Sequence, residues 1–291
     1  MDVPAANSAS ADESVDISGF ERVVRVLVGR KMVVLSGAGI STESGIPDYR
    51  GPDGPHRRTP PVQYRDFVNL DSTRARYWAR SAVGWPHFMH ARPNSAHIAV
   101  SRLETKGLVT GIITQNVDQL HQKAGSRRVI ELHGALAEVI CMNCGRLEPR
   151  VALQERLLAL NPRWESAAAS VAPDGDADLP EELIEGFRVP VCLACAGTLK
   201  PNVVLFGENV PRERADEAFS LLDAAEALLV AGSSLAVYSG LRFVDGASRR
   251  GIPVVIINIG STRGDALAAA RLEGRLGALL PRIAERLLGS P

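Results

Sequence analysis

Apolar and polar positions along the chain alternate between helical and strand-like patterns. Helix signals begin near Ser18 and run through FERVVRVLVG to Gly29. An unbroken apolar run follows at 32–35, bounded by Ser36-Gly37, and reads as a buried parallel strand feeding a glycine turn. Similar runs recur: GLVTGIIT before Gln115, ALLVAGSS over 227–234 and PVVIINIG over 253–260. Helical stretches lie between them, as at 212–225. Strands alternating with helices predict an α/β fold, a Rossmann-like parallel sheet with helices on both faces. Such a sheet binds its ligand at the carboxyl ends of its strands.

Two segments break the rhythm. Over 49–93 the many Pro, Arg and aromatic residues predict loops and short helices. Over 136–200 lie all four cysteines, as Cys141-x2-Cys144 and Cys192-x2-Cys195, with 47 residues (145–191) between the pairs. That middle predicts a helix over 151–160, then a mobile loop carrying the acidic, Ala/Pro-rich stretch ESAAASVAPDGDADLPEE. The resulting organisation is a large unit of 18–135 and 199–288, in which 50–97 supplies a flap and a helical module, and a cysteine module over 136–198. Residues 1–17 are acidic and rich in small residues, without the basic start and apolar stretch of a secretory signal, and read as a disordered lead-in.

The bulk numbers change this picture little. The chain has 291 residues, 45% hydrophobic and 23% charged, with 33 basic and 33 acidic side chains. The zero net charge gives no support to a nucleic-acid or membrane partner, and no apolar run approaches a membrane span. Paired cysteines at this spacing favour metal over disulfides in a reducing, cytoplasmic setting.

Five motifs carry candidate chemistry. In GAGISTESGIPDYR, Gly37 and Gly39 would let the backbone approach a pyrophosphate ahead of a helix N-terminus. Thr42 stands where a dinucleotide fingerprint wants a third glycine, so a tight turn without a ligand stays open. The continuation Pro47-Asp48-Tyr49-Arg50 suits a flap. In TQNVDQLHQKAG, Gln115, Asn116 and Asp118 fall at a strand's carboxyl end, where three polar residues are costly in a core and natural in a site; helix capping is the alternative. In ELHG, His133 is a candidate proton acceptor near neutral pH or a satisfied structural histidine. The four cysteines suit a closed, structural tetrahedral zinc site, one Zn2+ per chain. A nucleic-acid-binding zinc ribbon is disfavoured by the acidic loop. In LKPNVVLFGENVP, the flank around Phe206-Gly207-Glu208 is either an edge that pairs with an incoming peptide or an ordinary strand and turn.

Together these residues resemble a sirtuin, from about Phe20 to Leu288. The motifs are GAGIS-x-x-SGIPDYR, TQNVD, the His-Gly, the two cysteine pairs, LKPNVVLFGE, AGSSLAVY and INIG. The segment RARYWARSAVGWPHFMHARPNSAH (74–97) is similar to the class II subgroup that includes the mitochondrial lipoamidase-type member and bacterial relatives. The resemblance implies an NAD-dependent protein lysine deacylase that consumes NAD as a co-substrate, releasing nicotinamide and O-acyl-ADP-ribose. Its partner would be an acyl-lysine protein or peptide. It implies an NAD site of Gly37, Ala38, Gly39, Pro47, Asp48, Tyr49, Arg50, Gln115, Asn116, Asp118, Gly232, Ser233, Ser234, Asn258 and Leu276. His133 would be the general base, supported by Asn116 and Asp118. Val204, Phe206, Gly207 and Glu208 would flank the peptide. Tyr77 and Arg80, three apart on one predicted helix face, match a pair that meets acidic acyl groups in some sirtuins. An ADP-ribosyltransferase, or a non-catalytic module that binds NAD or acyl-lysine, are the rival readings.

Overall fold

The computed structural model describes residues 16–49, 61–162, 175, 177, 179 and 184–289. Helix α1 (Ile17–Leu27) starts a residue before Ser18 because Asp16 caps it, accepting from the Gly19 N–H. Most of the expected lead-in, all of the acidic stretch before Asp16, lies outside the described residues. The chain then runs β1 (Met32–Ser36), α2 (Tyr64–Asn69), α3 (Asp71–His90), α4 (Ser95–Thr105), β2 (Val109–Thr114), α5 (Leu120–Lys123) and β3 (Val129–Glu131). It continues β4 (Gly134–Cys141), β5 (Leu147–Pro149), α6 (Arg150–Leu160), β6 (Leu199–Val203), α7 (Arg212–Asp223), β7 (Ala227–Ala231), α8 (Tyr238–Arg249), β8 (Val254–Ile257), β9 (Ala270–Leu272) and α9 (Leu276–Leu288).

Six strands form one parallel sheet in the order β3-β2-β1-β7-β8-β9. Its two faces explain the unbroken apolar runs. Met32 and Val34 of β1 point into a core shared with α1, α4 and α9, while Val33 and Leu35 point into a core shared with α7 and α8. Strand alternation thus sends every side chain of the run into one apolar layer or the other. Each such burial contributes about 1.5–3 kcal/mol. The strand order reverses between β1 and β7, so the loops after these two strands diverge and open a crevice at the carboxyl edge.

A second sheet is antiparallel, β5-β4-β6. Strand β4 begins at the Gly of the His-Gly pair, and the reason is steric. Gly134 has φ +81°, and a Cβ there would lie 2.0 Å from the Asn202 carbonyl oxygen. Only glycine lets β6 approach this closely, and that approach fixes where His133 points.

Helix α3 corrects the expectation of loops and short helices. It spans 20 residues. Its middle, including Tyr77, Trp78, Ala79, Arg80, Ser81 and Ala82, is buried consecutively, so no apolar stripe of helical period marks it. Pro86 sits inside it and cannot donate to the Ala82 carbonyl four residues back. Gln154 of α6 does so instead, its Nε2 donating to Ala82 O at 2.8 Å. The α6 helix thereby repairs the break and docks α3 onto the small sheet. The stretch after α6 is largely outside the described residues, though Ala177 and Leu179 within it are buried.

Candidate functional site

The crevice between the β1 and β7 loops is a cleft of about 530 Å³. Its floor is made where two backbones nearly touch. Gly39 N–H donates to Gly232 O at 2.9 Å, and Cβ atoms at Gly37 or Gly39 would lie 2.8–2.9 Å from the Gly232–Ser233 backbone. Gly232 itself holds φ +67°. The glycines of GAG therefore serve loop-to-loop closure. The cleft exists because neither loop carries a side chain at that crossing.

A directed chain of hydrogen bonds orders the polar wall. Asn116 Nδ2 donates to Ser41 Oγ at 3.0 Å, and Ser41 Oγ donates to Asp118 Oδ2 at 2.7 Å. Asp118 Oδ1 accepts from Leu120 N–H at 2.9 Å, capping α5. Burial pushes the Asp118 carboxyl above its ordinary pKa, opposed by these donors. Capping and site are thus one arrangement here. Gln115 faces across the cleft, its Oε1 accepting from Ser233 Oγ at 2.6 Å.

His133 enters the same cleft from the β3–β4 junction. Its Nδ1 lies 2.9 Å from the Gln115 carbonyl, which can only accept, so Nδ1 carries the proton. The Nε2 lies 2.9 Å from Ser239 Oγ. Burial lowers the His133 pKa to about 4, with the Arg214 and Arg242 charges adding to the effect and the Gln115 carbonyl opposing it. At neutral pH the ring is therefore uncharged, with a lone pair on Nε2.

Most of the expected residues meet on this wall: Ala38, Asp48, Tyr49, Ser234, Asn258, Val204, Phe206, Gly207, Glu208 and Tyr77 join those above. Three described ones do not. Pro47 is half-buried beside the cleft; Leu276 lies behind Gly232 in the apolar core; and Arg80 is 2% exposed within the α3 packing. Arg50, and with it the flap expected beyond Tyr49, lies outside the described residues. Sequence reasoning missed Ser41, Ser239 and the apolar lining of Ile46, Val62 and Leu136. Ser41 sits inside the GAGIS motif, and its partner Asp118 is 77 residues on, so only the fold reveals the pair.

The presumed peptide edge is partly engaged. Phe206 bridges Gln63 in parallel, Tyr64 N–H donates to Phe206 O at 2.8 Å, and Tyr49 meets the Phe206 ring edge-on at 6.4 Å. Lys200 pairs with Glu208 at 2.9 Å, and Glu208 also accepts from Leu205 N–H. This clasp shapes the segment lining the cleft.

The four cysteines converge. Their sulfurs all lie within 4.8 Å of one another, with Cys141–Cys195 at 3.5 Å and Cys144–Cys192 at 3.9 Å. Tetrahedral Zn–S bonds of about 2.3 Å put sulfurs roughly 3.8 Å apart, so the cage fits one zinc ion. Each Cys-x2-Cys turn ends in a left-handed residue, Gly145 at φ +72° and Ala196 at φ +56°. The cage's sulfurs are absent from the cleft wall.

Comparison with known proteins agrees with this geometry. The Sir2 family model matches residues 37–239. A Streptomyces coelicolor protein named NAD-dependent protein deacetylase 1 is 53% identical over 88% of this chain and 86% of its own. The human NAD-dependent protein lipoamidase sirtuin-4, mitochondrial, is 47% identical over 97% of this chain and 89% of its own. A solved Sir2 variant with a deacetylated p53 peptide and 3′-O-acetyl-ADP-ribose superposes with a TM-score of 0.72 at 32% identity, covering 92% of this chain and 97% of that one.

Proposed function

The chain belongs to the Sir2 family, and from that premise we propose how its cleft works as an NAD-dependent protein deacylase. The observation that carries the reading is His133: an uncharged imidazole whose Nε2 faces the same cleft as the Asn116–Ser41–Asp118 chain. Glycine-closed loops at the β1/β7 switch point suit a dinucleotide, and NAD supplies a ribose carbon from which nicotinamide can be displaced by an acyl oxygen.

The protein's part is positioning and proton handling. Gln115, Asn116 and Asp118 orient the nicotinamide ribose and carboxamide. Ser233, Ser234 and Asn258 hold the adenosine side. His133 Nε2 takes a proton from a ribose hydroxyl, and its Nδ1–H passes the developing charge toward the Gln115 carbonyl. Val204–Glu208 presents the acyl-lysine peptide; once the acyl oxygen has displaced nicotinamide, the ribose hydroxyl freed of its proton attacks the acyl carbon, and one water completes release of the deacylated lysine side chain and O-acyl-ADP-ribose. Holding the reactants in one dry geometry is worth roughly 7–11 kcal/mol. The zinc held by Cys141, Cys144, Cys192 and Cys195 is structural and takes no part in the chemistry.

The same reading divides the chain into a large NAD-binding unit, 18–135 and 199–288, and a zinc module, 136–198, with β6 paired into the small sheet. We place the protein in the cytoplasm, on its thiol usage; among the described residues no helix is long and apolar enough to cross a membrane. Ile46, Val62, Leu136 and Tyr77 bring apolar surface to the cleft wall, which suits acyl groups bulkier than acetyl. Arg80 does not reach that wall, so a preference for acidic acyl groups falls to the Tyr77 hydroxyl. Incubation with NAD and acyl-lysine peptides, followed by mass spectrometry, tests the reading. It predicts nicotinamide release matched by loss of the acyl mass. A gain of ADP-ribose on protein would favour the transferase reading, and no nicotinamide release with any acyl peptide a binding module.

A further inference from the structure

Ser239 is the second residue of α8, and its hydroxyl lies 2.9 Å from His133 Nε2. Because the Gln115 carbonyl fixes the proton on Nδ1, the Nε2 lone pair accepts and Ser239 Oγ–H donates. That lone pair is the one the general base needs. The serine is held in place from behind: Arg242 Nε donates to the Ser239 carbonyl at 3.2 Å. The helix start also packs on the residue that fixes the tautomer, since a Cβ at Gly240 would lie 2.5 Å from Gln115 Nε2. Ser239 and His133 both line the cleft.

We propose that Ser239 is a positioning residue for His133: in the NAD-free enzyme its hydroxyl occupies Nε2 and keeps the base aimed into the cleft, and a hydroxyl of the bound nicotinamide ribose displaces it. The inference rests on His133 being the general base. One hydrogen-bond donor replaces another at the same lone pair, so the exchange costs little and never leaves Nε2 bare in a buried setting. Burial and charge near the ring are what keep the base neutral. Arg214 on α7 and Arg242 on α8 both disfavour the imidazolium, and the Gln115 carbonyl favours it. The Ser239 hydroxyl rotates to accept from Nε2–H once the ring is charged, a stronger contact than the one it makes to the neutral ring, so its removal lowers the His133 pKa.

The test separates free enzyme from complex, because kcat/KM reports the free-enzyme base and kcat the base in the complex. In Ser239→Ala the acid limb of the kcat/KM profile moves down by about 0.5–1 pH unit, while the acid limb of kcat stays in place. Ser239→Thr, which keeps the hydroxyl, retains the wild-type kcat/KM limb. A 15N-imidazole NMR titration of His133 in the NAD-free chain reports the same downward shift without relying on turnover. An unmoved His133 titration overturns the contact. A Thr variant that shifts as Ala does makes the effect steric and overturns it as well. A kcat limb that moves with the kcat/KM limb overturns the displacement. His133→Ala run in parallel keeps the premise separate: if that variant turns over normally, the general-base reading falls, whatever the Ser239 titration shows.

Discussion

Every residue of β1 is buried between two apolar cores, whereas β5 of the small sheet leaves Leu147 53% exposed and two of the four cage cysteines stand exposed. The large sheet carries enough apolar surface on both faces to hold itself. The small one divides fewer residues between two smaller clusters: Val139 packs with Leu153, Leu157, Cys141 and Cys192, and Leu136 with Ile46, Trp85 and Phe88. A three-stranded sheet is close to the smallest that holds alone, and metal–thiolate bonding adds to what burial supplies. The site draws on both: ordered loops from the large sheet, and His133 from the junction with the small one.

The largest effect should come from breaking the metal cage. Cys141→Ser or Cys192→Ser, or zinc removal verified by metal analysis, should unfold the small sheet while the large sheet's strands keep their hydrogen-exchange protection. Structural zinc contributes on the order of 10–16 kcal/mol in isolated modules. An unchanged melting temperature after complete zinc loss would show that α3 and α6 packing suffices.

His133→Ala should act on rate and leave the fold alone. Turnover on the best acyl peptide is expected to fall ~10²–10⁴-fold, with the melting temperature and zinc content of the wild type. The residue is half-buried at the edge of the cleft, so its loss opens little core. A variant that keeps its rate removes His133 from the mechanism.

What the sequence made legible follows the same division. Runs such as 32–35 and 254–257 could be read because both faces of their sheet are apolar, and the cysteine cage because spacing encodes a turn. The full length of helix α3 was hidden by the consecutive burial of its middle and by Pro86, whose broken bond is repaired by Gln154 from another element. Ser239 was hidden because it joins His133 from 106 residues away. Arg80 lies off the wall because sequence position fixes a residue's element and not which way its side chain faces.

A smaller, graded effect is expected from acid. His121 is fully buried behind the strand ends, its Nε2 on Ser36 Oγ at 2.9 Å, and His97 lies against it with ring centroids 5.0 Å apart. Burial lowers the His121 pKa to about 3, His97 adding to this, and burial lowers the His97 pKa to about 4. Both fall below the ordinary 6.5, so the unfolded chain binds the protons first. Stability from these groups is complete above about pH 6.5 and is lost as pH falls toward 4 and then 3. Asp118, whose carboxyl is raised by burial, works in the opposite sense, costing stability as pH rises through its range. Protonation of the zinc thiolates adds its own slope, so the informative quantity is a difference. His121→Gln should lower the melting temperature at pH 7.5 but flatten its decline between pH 6.5 and 4. An identical decline in the variant would assign the acid sensitivity to the cage.

The smallest expected effect concerns the apolar surface of the cleft wall. Tyr77 reaches that wall while its ring packs edge-on against Phe67 at 5.5 Å and Trp78 at 5.1 Å. Its ring is thus held in place in a cleft that Ile46, Val62 and Leu136 also line. Tyr77→Phe keeps the ring and its packing and removes only the hydroxyl. If that hydroxyl meets a distal carboxylate, kcat/KM on a glutaryl-lysine peptide should fall about 2–10-fold, as befits one hydrogen bond. The acetyl form of the same peptide should change less than twofold. Arg80→Met, by contrast, should lower the melting temperature without altering the ratio of glutaryl to acetyl rates, because the guanidinium is buried in the α3 packing and off the wall. A clear acetyl preference left unchanged by Tyr77→Phe would sink the acidic-acyl reading; a ratio that moves in Arg80→Met would return the guanidinium to the site.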